Sequence, residues 1–420
     1  MKRLSFPLAI LLFPALAFAQ AAKPAEALTA AESKEAEAAI KSYFEGKTDA
    51  DREAAVERMR AIDHPSKTDL GKLAGKAFQW TKVGPRLAEK QKVTCTDPDH
   101  AGEFEIQVAS GAKKGQPTGV CIILHGGGAG VGDGGQIRSL LGAPGPGMTH
   151  VWPTVIQKTD SAWNTEREEQ YVLAILDDLK RSYAVDTNRV YIAGHSMGGY
   201  GTWSIGPRHA DLFAAGAAMA GGIFVGGKDA EGKLNIARGI LPNLKNMPFW
   251  FFNSTDDQQV RPDSSIRAAE LLEGMKKDYG AFDFVFKKYA DIGHGLPKEG
   301  CQEIWKFVFA KKRDPLPKRV LWEPSRSYKT DFYWIRSSAG GGRFDVEREG
   351  NKFTVRGSAA NLSIFLNDKM VKFDQPVVVV DGEDKELFNG VVKPSLAVML
   401  DSNGRRKDPE MWFTGEVILK

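Results

Sequence analysis

Ser196 stands within Gly194-His195-Ser196-Met197-Gly198, a G-x-S-x-G pattern. The apolar run Val190-Tyr191-Ile192-Ala193 leads into it, and a small-residue stretch able to open a helix follows. A strand that turns sharply into a helix holds its turn residue strained and exposed. Glycine at 194 and 198 leaves room where a side chain would strike neighbouring backbone. The expected result is a serine hydroxyl held above a sheet, with the Met197 backbone N–H facing the same space. Serine is a weak nucleophile at neutral pH. It needs a base within hydrogen-bond reach and a third group that fixes the tautomer of that base. An acyl-transfer site also needs donors for the developing oxyanion. His125-Gly126-Gly127-Gly128 offers backbone N–H groups that no side chain obstructs.

The elements that must position these groups lie between residues 91 and 313. Residues 93–96 and 104–108 alternate apolar and polar, as strands do. Val120-Cys121-Ile122-Ile123-Leu124 is continuously apolar, as a strand covered on both faces is, and runs straight into His125. Further strands are expected at 149–156, 189–193, 213–219, 247–253 and 283–289. Helical spacing is expected at 166–183, 264–279 and 302–311. Strands alternating with helices imply a mostly parallel sheet with helices on both faces. Such sheets bind ligands beyond the carboxyl ends of their strands, where Ser196 and the glycine run fall. Residues 221–246 interrupt the alternation and are expected to cap the site.

The phrase Asp186-Thr187-Asn188-Arg189-Val190-Tyr191-Ile192-Ala193-Gly194-His195-Ser196-Met197-Gly198-Gly199 resembles the α/β-hydrolase family. The resemblance covers residues 91–312. Within it the match is closest to secreted esterases of the feruloyl, acetylxylan and dienelactone-hydrolase type and to the catalytic domain of prolyl oligopeptidases. It implies a doubly wound, mostly parallel sheet and a chain order of nucleophile, acid, then histidine. His294, in Gly293-His294-Gly295, is the histidine beyond the 247–253 strand and is implied as the base. The loop Asn253-Ser254-Thr255-Asp256-Asp257-Gln258-Gln259-Val260 resembles the family's acid loop, whose aspartate is followed three positions later by valine. That spacing selects Asp257, with Asp256 as the alternative. The His-Gly-Gly-Gly run sits where the family has its oxyanion loop, which implies Gly127 and Met197 as donors and Gly126 as an alternative. His125 is expected to orient that loop. Trp163, Tyr200 and His195 are expected to touch substrate, with Ile223 and Phe224 as further pocket candidates.

Gly130-Val131-Gly132-Asp133-Gly134-Gly135 also matches the dinucleotide pattern G-x-G-x-x-G. It does not pass directly from strand to helix, and no Gly-Lys-Ser/Thr follows, so no nucleotide is expected. Cofactors and metals are likewise expected to be none, since no spacing resembles a metal site.

The 420 residues accommodate more than one domain. Residues 1–19 read as a signal peptide: Lys2 and Arg3, an apolar run, then Ala17-Phe18-Ala19. Its removal leaves 55 basic against 53 acidic residues, a balance that points to neither nucleic acid nor membrane insertion. The expected location is secreted or periplasmic. Residues 20–90 form an N-terminal helical segment, with helices at 30–44, 49–62 and 68–80. The first is opened by the capping-box residues Thr29 and Glu32, and His64-Pro65 ends the second. Residues 91–313 form the catalytic domain. In 320–420, short alternating segments recur at 332–335, 344–347, 353–356, 362–366, 377–380, 387–392 and 412–419. Turns such as Gly340-Gly341-Gly342 separate them, and the pattern reads as an immunoglobulin-like β-sandwich. Cys121 is expected in the core, and Cys95–Cys301 is a candidate bridge. The function expected is a serine hydrolase of carboxylic esters, small-molecule or polysaccharide-linked, acting through an acyl-enzyme. A serine peptidase of prolyl-oligopeptidase type is one alternative. A non-catalytic polysaccharide- or wall-binding protein is the other.

Overall fold

A computed structural model describes residues 27–62, 65–127, 131–337 and 342–419. The signal peptide expected at 1–19, His64, Gly128, Gly130 and the turn expected at 340–341 lie outside the described residues.

Eight strands form the central sheet: β1 (Lys92–Thr94), β2 (Glu103–Gln107), β3 (Thr118–Leu124), β4 (Thr149–Pro153), β5 (Val185–His195), β6 (Ala215–Met219), β7 (Phe249–Ser254) and β8 (Phe284–Tyr289). Their spatial order is β1-β2-β4-β3-β5-β6-β7-β8. β2 pairs antiparallel with β1 and β4, and every later pairing is parallel. Side chains alternate across the sheet with period two. Val120, Ile122 and Leu124 of β3 enter one core with helices Glu166–Ser182, Met197–Arg208 and Asp263–Tyr279. Cys121 and Ile123 enter the other with Ile137, Ile304 and Val308 of helices Gly134–Leu141 and Gln302–Phe309. Both faces are therefore covered, as the continuous apolar run of β3 requires.

Helix Gly134–Leu141 departs from expectation. Asp133 caps it by accepting the Gln136 N–H at 2.8 Å, so the glycine run does open a helix, but one separated from the end of β3 at Leu124 by residues 125–133. The candidate disulfide is also corrected. All three cysteines are free and buried. Cys95 packs in the first core and Cys301 in the second, so the sheet lies between them. Burial pushes the Cys95 thiol up to about 12 and the Cys301 thiol up to about 11.

Helices Ala30–Glu45, Asp49–Arg60 and Lys67–Trp80 do form, the first with the capping box of Thr29 and Glu32. Their apolar faces meet Leu396, Met399 and Leu400 of helix Leu396–Arg406, which the strand-dominated reading of the C-terminal segment did not anticipate. The first and last parts of the chain thus share a core.

The C-terminal strands make two sheets. One runs Arg319–Trp322, Phe344–Glu349, Lys352–Gly357, Val377–Asp381, Glu386–Gly390. The other runs Asp331–Phe332, Ile335–Ser337, Leu362–Leu366, Gly415–Leu419. The strand expected at 332–335 is broken by a tight turn in which Tyr333 has φ +50°. Strands Lys352–Gly357 and Val377–Asp381 pair in parallel. Buried Arg313 meets buried Asp408 at 2.8 Å, and Thr187 Oγ1 donates to Asp408 at 2.9 Å, which ties this segment to β5. Trp322, Tyr333 and Trp334 belong to the same apolar core as β3. No described helix is long and apolar enough to cross a membrane.

Candidate active site

Ser196 follows β5 directly and has φ +58° and ψ −122°. A non-glycine residue there is strained, and its surroundings must hold it. They do: its N–H donates to the Met219 carbonyl at the end of β6 (2.9 Å), and its carbonyl accepts the Tyr200 N–H (3.1 Å). A Cβ at Gly194 would overlap the Gly198 carbonyl, and one at Gly198 would overlap the Leu124 carbonyl of β3. The two glycines let strand, turn and helix pack backbone against backbone.

His294 follows β8, and Asp257 follows the neighbouring β7. His294 Nε2 lies 2.8 Å from Ser196 Oγ, and His294 Nδ1 lies 2.7 Å from Asp257 Oδ2. The Asp257 side chain is fully buried. Its other oxygen accepts the N–H groups of Gln259 (2.8 Å) and Val260 (2.9 Å), which fixes the carboxylate. An ionised carboxylate only accepts, so Nδ1 carries the proton and Nε2 presents its lone pair to the serine hydroxyl. Asp256 has a different partner set. It accepts the Gly293 N–H at 3.0 Å and the Ser254 hydroxyl, so it holds the loop that carries His294. The Ser254 hydrogen bond comes first among the causes that keep the Asp256 carboxyl below its usual range.

Behind the glycine loop, His125 Nε2 accepts the Val155 N–H at 3.2 Å, which leaves Nδ1 to donate to the Gly126 carbonyl at 2.7 Å. Burial lowers its pKa, so the ring is a neutral brace. Gly127 has φ +96°, and a Cβ there would overlap the Val131 carbonyl. Gly126 has its α-hydrogens against Ser196, since a Cβ there would come 3.0 Å from the Ser196 Cβ. Met197 is the first residue of the helix after Ser196.

A cleft of about 570 Å³ opens beside Ser196, lined by Gly126, Gly127, His195 and His294 together with Gln136, Ile137, Ser139, Leu140 and Gln259. Among the described residues that line it, none is a lysine, arginine, aspartate or glutamate. His195 is nine-tenths buried, with its ring 5.2 Å from that of His294. Burial first, then the neighbouring His294, push it down to about 4. The wall made by helix Gly134–Leu141 escaped sequence reasoning, although Asp133 followed by Gln136 is a legible cap signal.

Two expected contacts are corrected. Trp163 is 1% exposed, and its indole N–H donates to the His125 carbonyl at 3.0 Å. It supports the loop from behind and does not line the cleft. The Tyr200 ring lies 5.3 Å from that of Phe224, tilted at 56°, and packs against Gly222; it is not among the described residues that line the cleft. Ile223 and Phe224 also lie outside that wall. Residues 221–246 contribute nothing to the cleft lining. They are tied to helix Asp263–Tyr279 instead, through Ile223 N–H to Ser264 Oγ and Arg267 Nε to the Leu234 carbonyl (both 3.2 Å). Among the described residues, no group of His, Cys, Asp and Glu stands as a metal-ligand set.

Residues 157–238 match the family model of the prolyl oligopeptidase family. A bifunctional acetylxylan esterase/xylanase from Neocallimastix patriciarum is 27% identical over 165 residues, which are 35% of this chain. The chain spans about a quarter (24%) of that relative's length. Among solved structures, a thermostable esterase is 23% identical with a TM-score of 0.39, covering 53% of this chain and 62% of that one. A ferulic acid esterase from Anaeromyces mucronatus is 15% identical with a TM-score of 0.40, covering 54% of this chain and 92% of that one. With its strained serine between β5 and a helix, its eight-stranded sheet and this matched segment, the chain resembles the α/β-hydrolase family in its central portion.

Proposed function

We propose that this protein is a secreted serine hydrolase of carboxylic esters. Ser196 Oγ attacks the ester carbonyl while its proton passes to His294 Nε2. Asp257 holds the ring and offsets the positive charge that develops on it. The N–H groups of Gly127 and Met197 receive the oxyanion. Collapse of the tetrahedral intermediate breaks the bond to the alcohol oxygen, which leaves with the proton from His294. Water then repeats the sequence on the acyl-enzyme and releases the acid. One observation carries this reading: His294 reaches Ser196 at 2.8 Å and Asp257 at 2.7 Å through opposite ring nitrogens.

In the same reading residues 1–19 direct export, 91–313 form the catalytic domain, and the two C-terminal sheets face each other as a sandwich. The substrate is a small-molecule or polysaccharide-linked ester, in keeping with the names of the relatives. The match to the prolyl oligopeptidase family favours a second reading, a serine peptidase. Hydrolysis of p-nitrophenyl acetate, set against cleavage of short peptide anilides, separates the two. Ser196→Ala lowers ester turnover about 10⁶-fold if Ser196 is the nucleophile. Equal rates for the two forms reject both readings.

A further inference from the structure

A second hollow, of about 710 Å³, opens where the two ends of the chain meet. The N-terminal helices supply Phe44, Glu53 and Trp80, helix Leu396–Arg406 supplies Asp401 and Arg405, and the four-stranded sheet supplies Arg336 and Glu416. It shares no lining residue with the Ser196 cleft.

Three features of its wall restrict what it can hold. First, six basic and six acidic side chains line it, so neither an anion nor a cation meets an excess of opposite charge. Second, planar polar groups are already held in place. Arg336 bonds both Asp401 (2.7 Å) and Asp331 (3.0 Å), and Arg405 bonds Asp401 (2.8 Å). Groups ordered in advance lose little further freedom when a ligand arrives. Third, Phe44 and Trp80 line the hollow half-buried, packed on one side against the core of the N-terminal helices. Glu53 and Glu416 have no ion-pair or hydrogen-bond partner among the described residues, which leaves acceptors open in the same wall as the aromatic rings.

A hydrocarbon ligand would leave this polar wall unsatisfied, because buried polar groups need partners. An uncharged molecule with many hydroxyls and flat C–H faces suits all three features: its faces stack on the aromatic rings, and its hydroxyls bond carboxylates and guanidinium groups. The volume is within the range of ordinary ligand sites. We infer that this hollow is a second site, remote from Ser196 in its residues, that binds a neutral oligosaccharide. The inference does not depend on the assignment of Ser196 as nucleophile.

The test is calorimetric titration of the full chain with cellohexaose, xylohexaose and maltohexaose, none of which carries an ester bond. Hexagalacturonic acid serves as the charged comparison. Saturable binding of at least one neutral hexaose is expected. Trp80→Ala should weaken it about tenfold, as loss of a stacking partner does, while Trp80→Phe should restore most of it. Glu53→Gln combined with Glu416→Gln alters no packed side chain, so it covers the case in which Trp80→Ala fails to fold, and it should weaken binding several-fold. Absence of binding by all three neutral sugars at millimolar concentration overturns the inference. Binding that survives both the Trp80→Ala and the paired glutamate changes overturns it too, as does preference for the acidic sugar.

Discussion

Asp257→Asn is the sharpest test of the proton relay. The amide keeps the size of the carboxylate, and its oxygen can still accept from Gln259 and Val260, whose N–H groups lie 2.8 and 2.9 Å away. Its NH₂ then faces His294 Nδ1, where a carboxylate oxygen lies at 2.7 Å. Two donors cannot face each other, so the imidazole must move its proton to Nε2. That nitrogen, 2.8 Å from Ser196 Oγ, then has no lone pair with which to take the serine proton. Because the Asp257 side chain is fully buried, water cannot replace the lost charge. The tautomer error costs about 10⁴-fold in kcat in the serine-protease precedent, or about 5 kcal/mol of barrier. Asp256→Asn is the matched control. It keeps an acceptor for the Gly293 N–H at 3.0 Å and loses only charge assistance, so about fivefold or less is expected. The assay is p-nitrophenyl acetate hydrolysis by both variants, with circular dichroism to check the fold. If Asp257→Asn stays within tenfold of the parent while Asp256→Asn falls by three orders of magnitude, the acid has been misassigned.

Other perturbations probe the frame around this relay. Gly127→Ala should lower ester turnover by about 10²–10³-fold with unchanged secondary structure, because an added methyl displaces the loop from the oxyanion position; normal turnover would remove Gly127 from that role. His195 is held near 4 against about 6.5 in an unfolded chain. Between those values the unfolded state binds a proton that the native state refuses, so stability falls as pH drops through the window. Going from pH 7 to pH 5 should cost about 2 kcal/mol from this residue alone. Urea unfolding of His195→Gln should show that much less pH dependence, and an unchanged slope would contradict the assignment. Arg313→Met leaves Asp408 as a buried, unpaired charge. It should destabilise the chain by about 3–5 kcal/mol in the same unfolding experiment; a loss below about 1 kcal/mol would mean that water reaches Asp408.

Some of this molecule was legible residue by residue. The apolar run of β3, the helix 166–182 and the capping box at Thr29 are written in neighbouring residues, since local periodicity and capping depend on side chains a few positions apart. The elbow at Ser196 was legible for the same reason: two glycines and a preceding strand specify a close backbone crossing. Other elements were not. Helix Leu396–Arg406 was hidden because it lies among strands and its apolar face is completed by residues 30–80, at the far end of the chain. Helix Gly134–Leu141 was hidden behind glycines that suggested a loop.

What the sequence determined by itself is the order and chemical type of the groups: a serine on a strained turn, carboxylates after one strand, a histidine after the next. Their meeting was decided only by the sheet, whose parallel register brings the ends of β5, β7 and β8 to one edge and sets side chains 98 positions apart at 2.8 Å. The choice between Asp256 and Asp257 shows why. Residues 254–257 form a turn closed by the Asp257 N–H on the Ser254 carbonyl (3.3 Å), which buries one carboxylate against the imidazole and leaves the other facing the Gly293 N–H. Spacing along the chain names both, and only packing in three dimensions says which one faces inward.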